Sequence, residues 1–206
     1  MMRRSFIAVL ALLCASAVSA EVVQGRDYTV LPTQQPVSTT GKIEVLEFFS
    51  YACPHCAAFH PAVTKWSAAL PKDAVFIRVP VAFGRRPWGQ LVRAYYAFEA
   101  TNTLDQFDGA LFEAIHEQRK TLYTEDTLAA WVAEQGGNAA AFRQAFNSPE
   151  VTKKAQRAEE LSREYRVDGV PSLTVNGKYV ALGRTQGDML RIASELIDRE
   201  RAAKNP

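Results

Sequence analysis

Glu47-Phe48-Phe49-Ser50-Tyr51-Ala52-Cys53-Pro54-His55-Cys56-Ala57-Ala58-Phe59 sets two cysteines, three positions apart, on the seam between two patterns. Upstream, Ile43-Glu44-Val45-Leu46-Glu47-Phe48-Phe49 is a mostly apolar run, as expected of a strand covered on both faces. Downstream, a helical pattern reaches about Leu70. Pro54 suits the first helical position, where a missing N–H costs nothing, and Pro61 is expected to bend the helix. A sulfur at a helix start meets the positive end of the helix dipole, which favours the thiolate, the nucleophilic form of cysteine. The junction therefore predicts a reactive dithiol.

Working outward, Ala74 to Phe83 carries a second strand pattern centred on Val75-Phe76-Ile77-Arg78-Val79, which completes a right-handed strand–helix–strand unit. A helical block follows. Trp88, Leu91, Val92, Tyr95 and Tyr96 recur at helical spacing, as do Leu104, Phe107, Leu111, Phe112 and Ile115, and these stripes read as core. Thr124 can cap a helix that ends at Gly136-Gly137; Asn138 and Ser148 can cap two more. Sheet then returns at Ser172–Val175 and Tyr179–Ala181, joined by the two-residue hairpin signal Asn176-Gly177, before a last amphipathic helix over about Asp188–Arg201. A short strand is also expected at Tyr28–Leu31. The order βαβ, helices, ββα gives one small α/β sheet domain, residues 21–83 and 149–206, interrupted by an all-helical insertion, residues 84–148.

Met1–Ala20 reads as a secretory signal peptide: Arg3-Arg4, an apolar run Phe6–Cys14 too short to span a bilayer, and a small-residue cleavage site at Val18-Ser19-Ala20. Arg3-Arg4-Ser5-Phe6-Ile7 loosely resembles a twin-arginine signal, so two export routes stay open. Cys14 leaves with the leader, and Cys53 and Cys56 remain of three cysteines. Arg3 and Arg4 leave too, taking Lys+Arg from 24 to 22 against 22 Asp+Glu, so no net charge draws the protein to nucleic acid. Export puts the dithiol in an oxidising compartment, where one tight pair is no structural scaffold.

The element order, Cys53-Pro54-His55-Cys56 at the first strand-to-helix junction, Glu47-Phe48-Phe49-Ser50 before it, the helical insertion and Gly169-Val170-Pro171 before the third strand resemble the DsbA-type periplasmic disulfide oxidases of the thioredoxin superfamily. The resemblance covers essentially the whole chain after Ala20 and implies a thioredoxin fold with an inserted all-helical domain. It implies that Pro171 is cis and faces the dithiol, presenting the Val170 backbone to an extended substrate. It also implies reoxidation by a quinone-linked, DsbB-like membrane oxidase. Two positions depart from the family pattern: Arg78 stands where lysine is usual, and Ala52 where an aromatic is common.

Within that frame Cys53 is the expected nucleophile. Cys56, one turn on, faces inward and can attack a mixed disulfide, while His55 can lie near the Cys53 sulfur and stabilise its charge. Stabilising the thiolate stabilises the reduced form, so the disulfide becomes a stronger oxidant. A purely structural Cys53–Cys56 bridge would close too short a loop to restrict the unfolded chain much. A structural zinc site needs four ligands, and His55, His60 and His116 are the only histidines; neither metal nor cofactor is expected. Glu47 lies mid-strand opposite Arg78 and has two readings: a buried acid that moves the proton of Cys56, or a satisfied ion pair.

The expected activity is thiol:disulfide oxidation of unfolded exported polypeptides by a periplasmic monomer. Two alternatives stand beside it. One is a disulfide isomerase or reductase, although only about 20 residues after the leader precede the first strand of the βαβ unit, too few for a separate dimerisation domain. The other is a non-catalytic chaperone or metal carrier on a thioredoxin scaffold.

Overall fold

The computed structural model describes residues 21–204, so the leader expected at Met1–Ala20 lies outside the described residues. Strand β1 is Tyr28–Val30, β2 is Ile43–Phe49, helix α1 is Pro54–Ala68 and β3 is Ala74–Pro80. Helices α2 (Arg86–Ala100), α3 (Leu104–His116), α4 (Glu125–Glu134), α5 (Ala139–Phe146) and α6 (Pro149–Glu164) come next. The chain closes with β4 (Ser172–Val175), β5 (Tyr179–Ala181) and α7 (Gln186–Lys204).

The sheet order is β1-β5-β4-β2-β3, with β2 and β3 parallel and the other neighbours antiparallel. β2 is an inner strand between β4 and β3 and every residue in it is buried, Glu44 and Glu47 included, which is why its apolar pattern is nearly continuous. One face packs on α1 and α7 through Val45, Phe59, Val63, Ile192 and Leu196. The other carries Leu46, Phe48 and Val79 against Ala158 and Tyr165 of α6 and its C-terminus. Helices α2 to α5 enclose an aromatic core of Phe98, Phe107, Trp131 and Phe142. That core runs without a break to Phe49, Tyr51 and Cys56 at the top of the sheet. No helix among the described residues is long and apolar enough to cross a membrane.

The helix starts follow their capping residues. The Thr124 side chain accepts from the Thr127 N–H in a reciprocal capping box, Asn138 accepts from Ala141 and Ser148 from Val151. The hairpin differs from the two-residue expectation by one residue. Val175 pairs with Tyr179, leaving Asn176, Gly177 and Lys178 in the connection. Asn176 and Gly177 take the positive φ values of 54° and 65° that make them a turn signal. The Lys178 N–H closes the turn onto the Val175 carbonyl at 3.0 Å, while its own carbonyl accepts the Leu31 N–H at 2.8 Å and so ties the end of β1 to the turn.

Gly177 is the tightest point of this region, since an added Cβ would lie 2.1 Å from the Gln35 carbonyl oxygen. Gly177→Ala is expected to destabilise the fold by more than about 1 kcal/mol in urea denaturation. Unchanged stability would mean that the Gln35–Gly177 contact does not hold in solution.

Candidate active site

The chain leaves β2 at Phe49 and turns through Ser50, whose carbonyl accepts the Cys53 N–H at 3.1 Å. Cys53 has extended φ/ψ (−93°, 118°) and is the N-cap of α1, one position ahead of the first turn. Pro54 follows at N1, and the first helical bond runs from Ala57 N–H to Cys53 C=O at 3.1 Å. Cys53 is 8% exposed and Cys56 is fully buried; both are free thiols. His55 and Pro54 are exposed on the first turn.

Two neighbours with opposite needs separate the sulfurs. The Cys53 thiol is lowered to about 5, chiefly because Cys56 donates a hydrogen bond to its sulfur. The N–H groups of Cys56 and His55 point toward it without forming a close cap bond, and His55 adds a smaller charge effect. Burial works against the charge and is outweighed. The Cys56 thiol is raised by the same hydrogen bond, by burial and by the negative charge of Glu47. One sulfur is thus held as a thiolate at neutral pH, and its partner holds a proton.

The Val170–Pro171 peptide is cis and precedes β4. It brings the Val170 carbonyl within 3.4 Å of Cys53 Sγ, in position to accept from the thiol form. Val170 and Pro171 are half-buried beside the sulfur.

Beneath the dithiol lies a buried charge cluster. Glu47 of β2 pairs in register with Arg78 of β3, and Arg78 Nε donates to Glu47 Oε2 at 2.6 Å. The guanidinium lies 3.8 Å over the Phe49 ring. Its Nη1 donates to Asp108 Oδ2, while Tyr51 donates to Asp108 Oδ1. His60 Nε2 stands 3.7 Å from the same Asp108 oxygen. Burial disfavours the Arg78 charge, but Glu47 and Asp108 outweigh that and hold it protonated. Burial raises Glu47, and Arg78 only partly opposes this. Glu47 Oε1 has no partner, an uncommon state for a buried polar atom.

The ion pair expected between Glu47 and Arg78 is therefore present, with one carboxylate oxygen left over. Asp108 and Tyr51 escape notice in the sequence, and His60 figures there only as an insufficient metal ligand. Asp108 does leave a signal: it falls on the apolar stripe of α3 between Leu104, Leu111, Phe112 and Ile115, where a charge is out of place. His116, also from α3, donates to the Tyr51 carbonyl at 2.7 Å and so holds the turn that carries the cysteines. Among the described residues, no group of three or more His, Cys, Asp or Glu is placed to hold a metal ion.

Residues 44–194 match the family model of the DSBA-like thioredoxin domain. The thiol:disulfide interchange protein DsbA of Pseudomonas syringae pv. tomato is 40% identical over 192 residues, covering 91% of this chain and 89% of that protein. The protein of the same name from Azotobacter vinelandii is 39% identical over 188 residues, covering 90% and 87%. Among solved structures, Pseudomonas aeruginosa DsbA superposes with a TM-score of 0.84 at 37% identity, covering 88% of this chain and 96% of that one. The oxidoreductase DsbA of Xylella fastidiosa gives 0.83 at 39% identity, covering 88% and 98%.

The contrast between the sulfurs gives a direct measurement. Titration of the reduced protein by the ultraviolet absorbance of its thiolates is expected to show one group with a midpoint near pH 5. Cys56→Ala removes the largest stabilising contact and should move that midpoint up by about one unit or more. A midpoint near the ordinary thiol value of about 8.5 in the parent protein would contradict the geometry.

Proposed function

The chain belongs to the DSBA-like thioredoxin family and is a disulfide-forming thiol:disulfide oxidoreductase; from that premise we propose that Cys53 is the sulfur its substrates attack. The observation that carries this reading is the division of labour between a stabilised Cys53 thiolate and a buried, protonated Cys56. A substrate thiolate attacks Cys53 Sγ of the Cys53–Cys56 disulfide. The S–S bond breaks, a substrate–Cys53 disulfide forms, and Cys56 leaves as a thiolate that takes up a proton. A second substrate thiolate then attacks the substrate sulfur of that mixed disulfide, closing the substrate's own disulfide and releasing Cys53 as a thiolate. Two electrons pass from substrate to protein. Cys53 is the better leaving group because its thiolate is the stable one.

His55 contributes to that stability through its charge. Val170 supports an extended substrate through its backbone beside the sulfur, with Pro171 fixing where that backbone lies, a strand-addition mode. Glu47, buried next to Cys56 with Oε1 unpartnered, gives the leaving Cys56 sulfur its proton and takes it back on reoxidation. Arg78 keeps Glu47 in place and relays no proton, since arginine does not give one up.

The substrates of this reading are unfolded exported polypeptides with free thiols, met in the periplasm after a leader at residues 1–20 is removed. The electrons then leave to a quinone-linked, DsbB-like membrane oxidase, and the protein works as a monomer. The reading divides the chain into a thioredoxin-like unit, residues 21–83 and 149–206, and a helical insertion, residues 84–148. Packing of Ala158 and Tyr165 on Phe48 supports assigning α6 to the sheet unit.

Equilibration in glutathione buffers tests the direction of the reaction. A potential near about −120 mV, the value associated with DsbA itself, marks a disulfide donor; one near about −270 mV, as for thioredoxin, would make the protein a reductase and sink the proposal.

The same asymmetry predicts a pH-dependent stability gap between the redox forms. The Cys53 thiol is depressed in the folded state, so it stabilises the reduced form fully above its unfolded value of about 8.5 and not at all well below 5. The raised Cys56 thiol works the other way above about 8.5, where the unfolded chain would ionise it. The reduced form should therefore melt at the higher temperature around pH 7, with its advantage shrinking as the pH falls through 5. Calorimetry of both forms checks this; a more stable oxidised form at pH 7 would contradict a strongly oxidising disulfide.

A further inference from the structure

The sheet unit brings Glu47 from β2, Arg78 from β3 and His60 from α1 together beneath the dithiol. Asp108 comes instead from α3 in the helical block, and it faces Arg78, Tyr51 and His60 together. Arg78 thus serves two carboxylates. Its Nε goes to Glu47 and its Nη1 to Asp108, while Nη2 is buried with no partner. With both carboxylates ionised, one cation faces two anions in a site where Glu47 is wholly buried and Asp108 is 17% exposed. While the disulfide is closed and Cys56 has no use for a proton, the least costly adjustment is for one carboxylate to hold it. Glu47 is the candidate, being deeper and having a free oxygen, whereas both Asp108 oxygens already accept.

We propose that Asp108 is a positioning residue for the proton transfer at Cys56: by taking one edge of the Arg78 guanidinium it keeps Glu47 able to hold and release a proton. The proposal rests on the reading of Glu47 as the proton partner of Cys56. The chemistry balances within the cluster. When the Cys53–Cys56 bond is broken by a substrate thiolate, the departing Cys56 sulfur takes the proton of the Glu47 carboxyl; when Cys56 later attacks a Cys53 mixed disulfide, its proton returns to Glu47.

The groups that face Glu47 are Arg78 from β3, Asp108 from α3, Cys56 from α1 and Tyr95 from α2. Arg78 also faces Tyr51 and Tyr95, and Asp108 also faces His60. The repulsion from Asp108 raises Glu47, and the attraction to Arg78 lowers it. Removing the Asp108 charge ends the repulsion and leaves the guanidinium to Glu47 alone, so both changes act in the same direction. His60, 16% exposed, lines a cleft of about 430 Å³ between α1 and α3. It is placed to neutralise Asp108 whenever it carries a proton.

The test follows the Glu47 carboxyl directly, by ¹³C NMR of reduced protein labelled at glutamate, with the signal assigned by its loss in Glu47→Gln. In Asp108→Asn the Glu47 midpoint is expected to fall by about one unit, a tenfold change in the ratio of protonated to ionised carboxyl. Asp108→Glu, which keeps the charge, should restore it. The pH profile for Cys56-dependent release of glutathione from a Cys53–glutathione mixed disulfide should move down by the same interval. An unchanged or raised midpoint in folded Asp108→Asn overturns the proposal. Should that variant not fold, His60→Lys sets a fixed cation against the same carboxylate and must also lower the midpoint; no shift there overturns the proposal equally. A Glu47→Gln profile matching the parent overturns the underlying reading of Glu47. The two failures are told apart because the carboxyl midpoint is read independently of the exchange rate.

Discussion

The start of α1 is the constraint on which the site depends. A helix begins with backbone N–H groups that have no partner inside the helix, and here the residue at that point is Cys53. Pro54 at N1 removes one of those donors and presets the helical backbone, so the start is fixed at a single residue. Ser50 closes the turn from β2 by accepting the Cys53 N–H, and His116 holds Tyr51 from the other side. A sulfur fixed this way receives the field of the helix end and a hydrogen bond from Cys56 at once. Moving the helix start by one residue would carry Cys56 out of reach of Cys53 and end the contrast between the two thiols.

The buried charges are the second constraint and a costly one. Placing Glu47 in the middle of a fully buried strand requires a cation, and the parallel register of β2 and β3 supplies Arg78 directly opposite. A buried ion pair is weak evidence for stability, because desolvation offsets most of its attraction. The cation contact with Phe49 and the bond to Asp108 lessen that cost without satisfying every atom. An arrangement that leaves Glu47 Oε1 bare is poor as a structural device and suited to a group that must alternate between charged and neutral forms. The helical block has a part in this, since α3 delivers both Asp108 and His116 to the underside of the cysteine turn.

Much of this was legible in the sequence because the informative signals are local. The strand ending at Phe49, the proline after Cys53, the Asn176-Gly177 turn and the caps at Thr124, Asn138 and Ser148 each depend on a few neighbouring residues, and the structure places each where its chemistry requires. The hairpin is one residue longer than its turn residues imply, and the extra residue, Lys178, gives its carbonyl to Leu31 at the end of β1, more than a hundred residues away. Asp108 is the same kind of case. Nothing near it in sequence announces Arg78 or Tyr51, and only its misplaced charge on an apolar stripe marks it. The partial charge network was readable across the Glu47–Arg78 strand pair, where register does the pairing. Across the α3 contact, where tertiary packing does it, the network was not.

Both constraints bear on the direction of the chemistry. An active-site disulfide is readily donated when its reduced form is the lower in free energy. A thiolate stabilised by a helix start and a neighbouring thiol lowers that form alone, since the oxidised form has no ionisable sulfur. The buried Cys56 has the complementary part: it must not compete for the thiolate, yet it must ionise briefly each time the disulfide opens or closes. A desolvated sulfur cannot do so unless a proton acceptor is at hand in the same dry environment, and Glu47 is the group whose charge already acts on it. On the proposed reading of Glu47, the low thiol above and the raised carboxyl below are two halves of one device: the first sets which way electrons flow, and the second lets the buried partner keep pace.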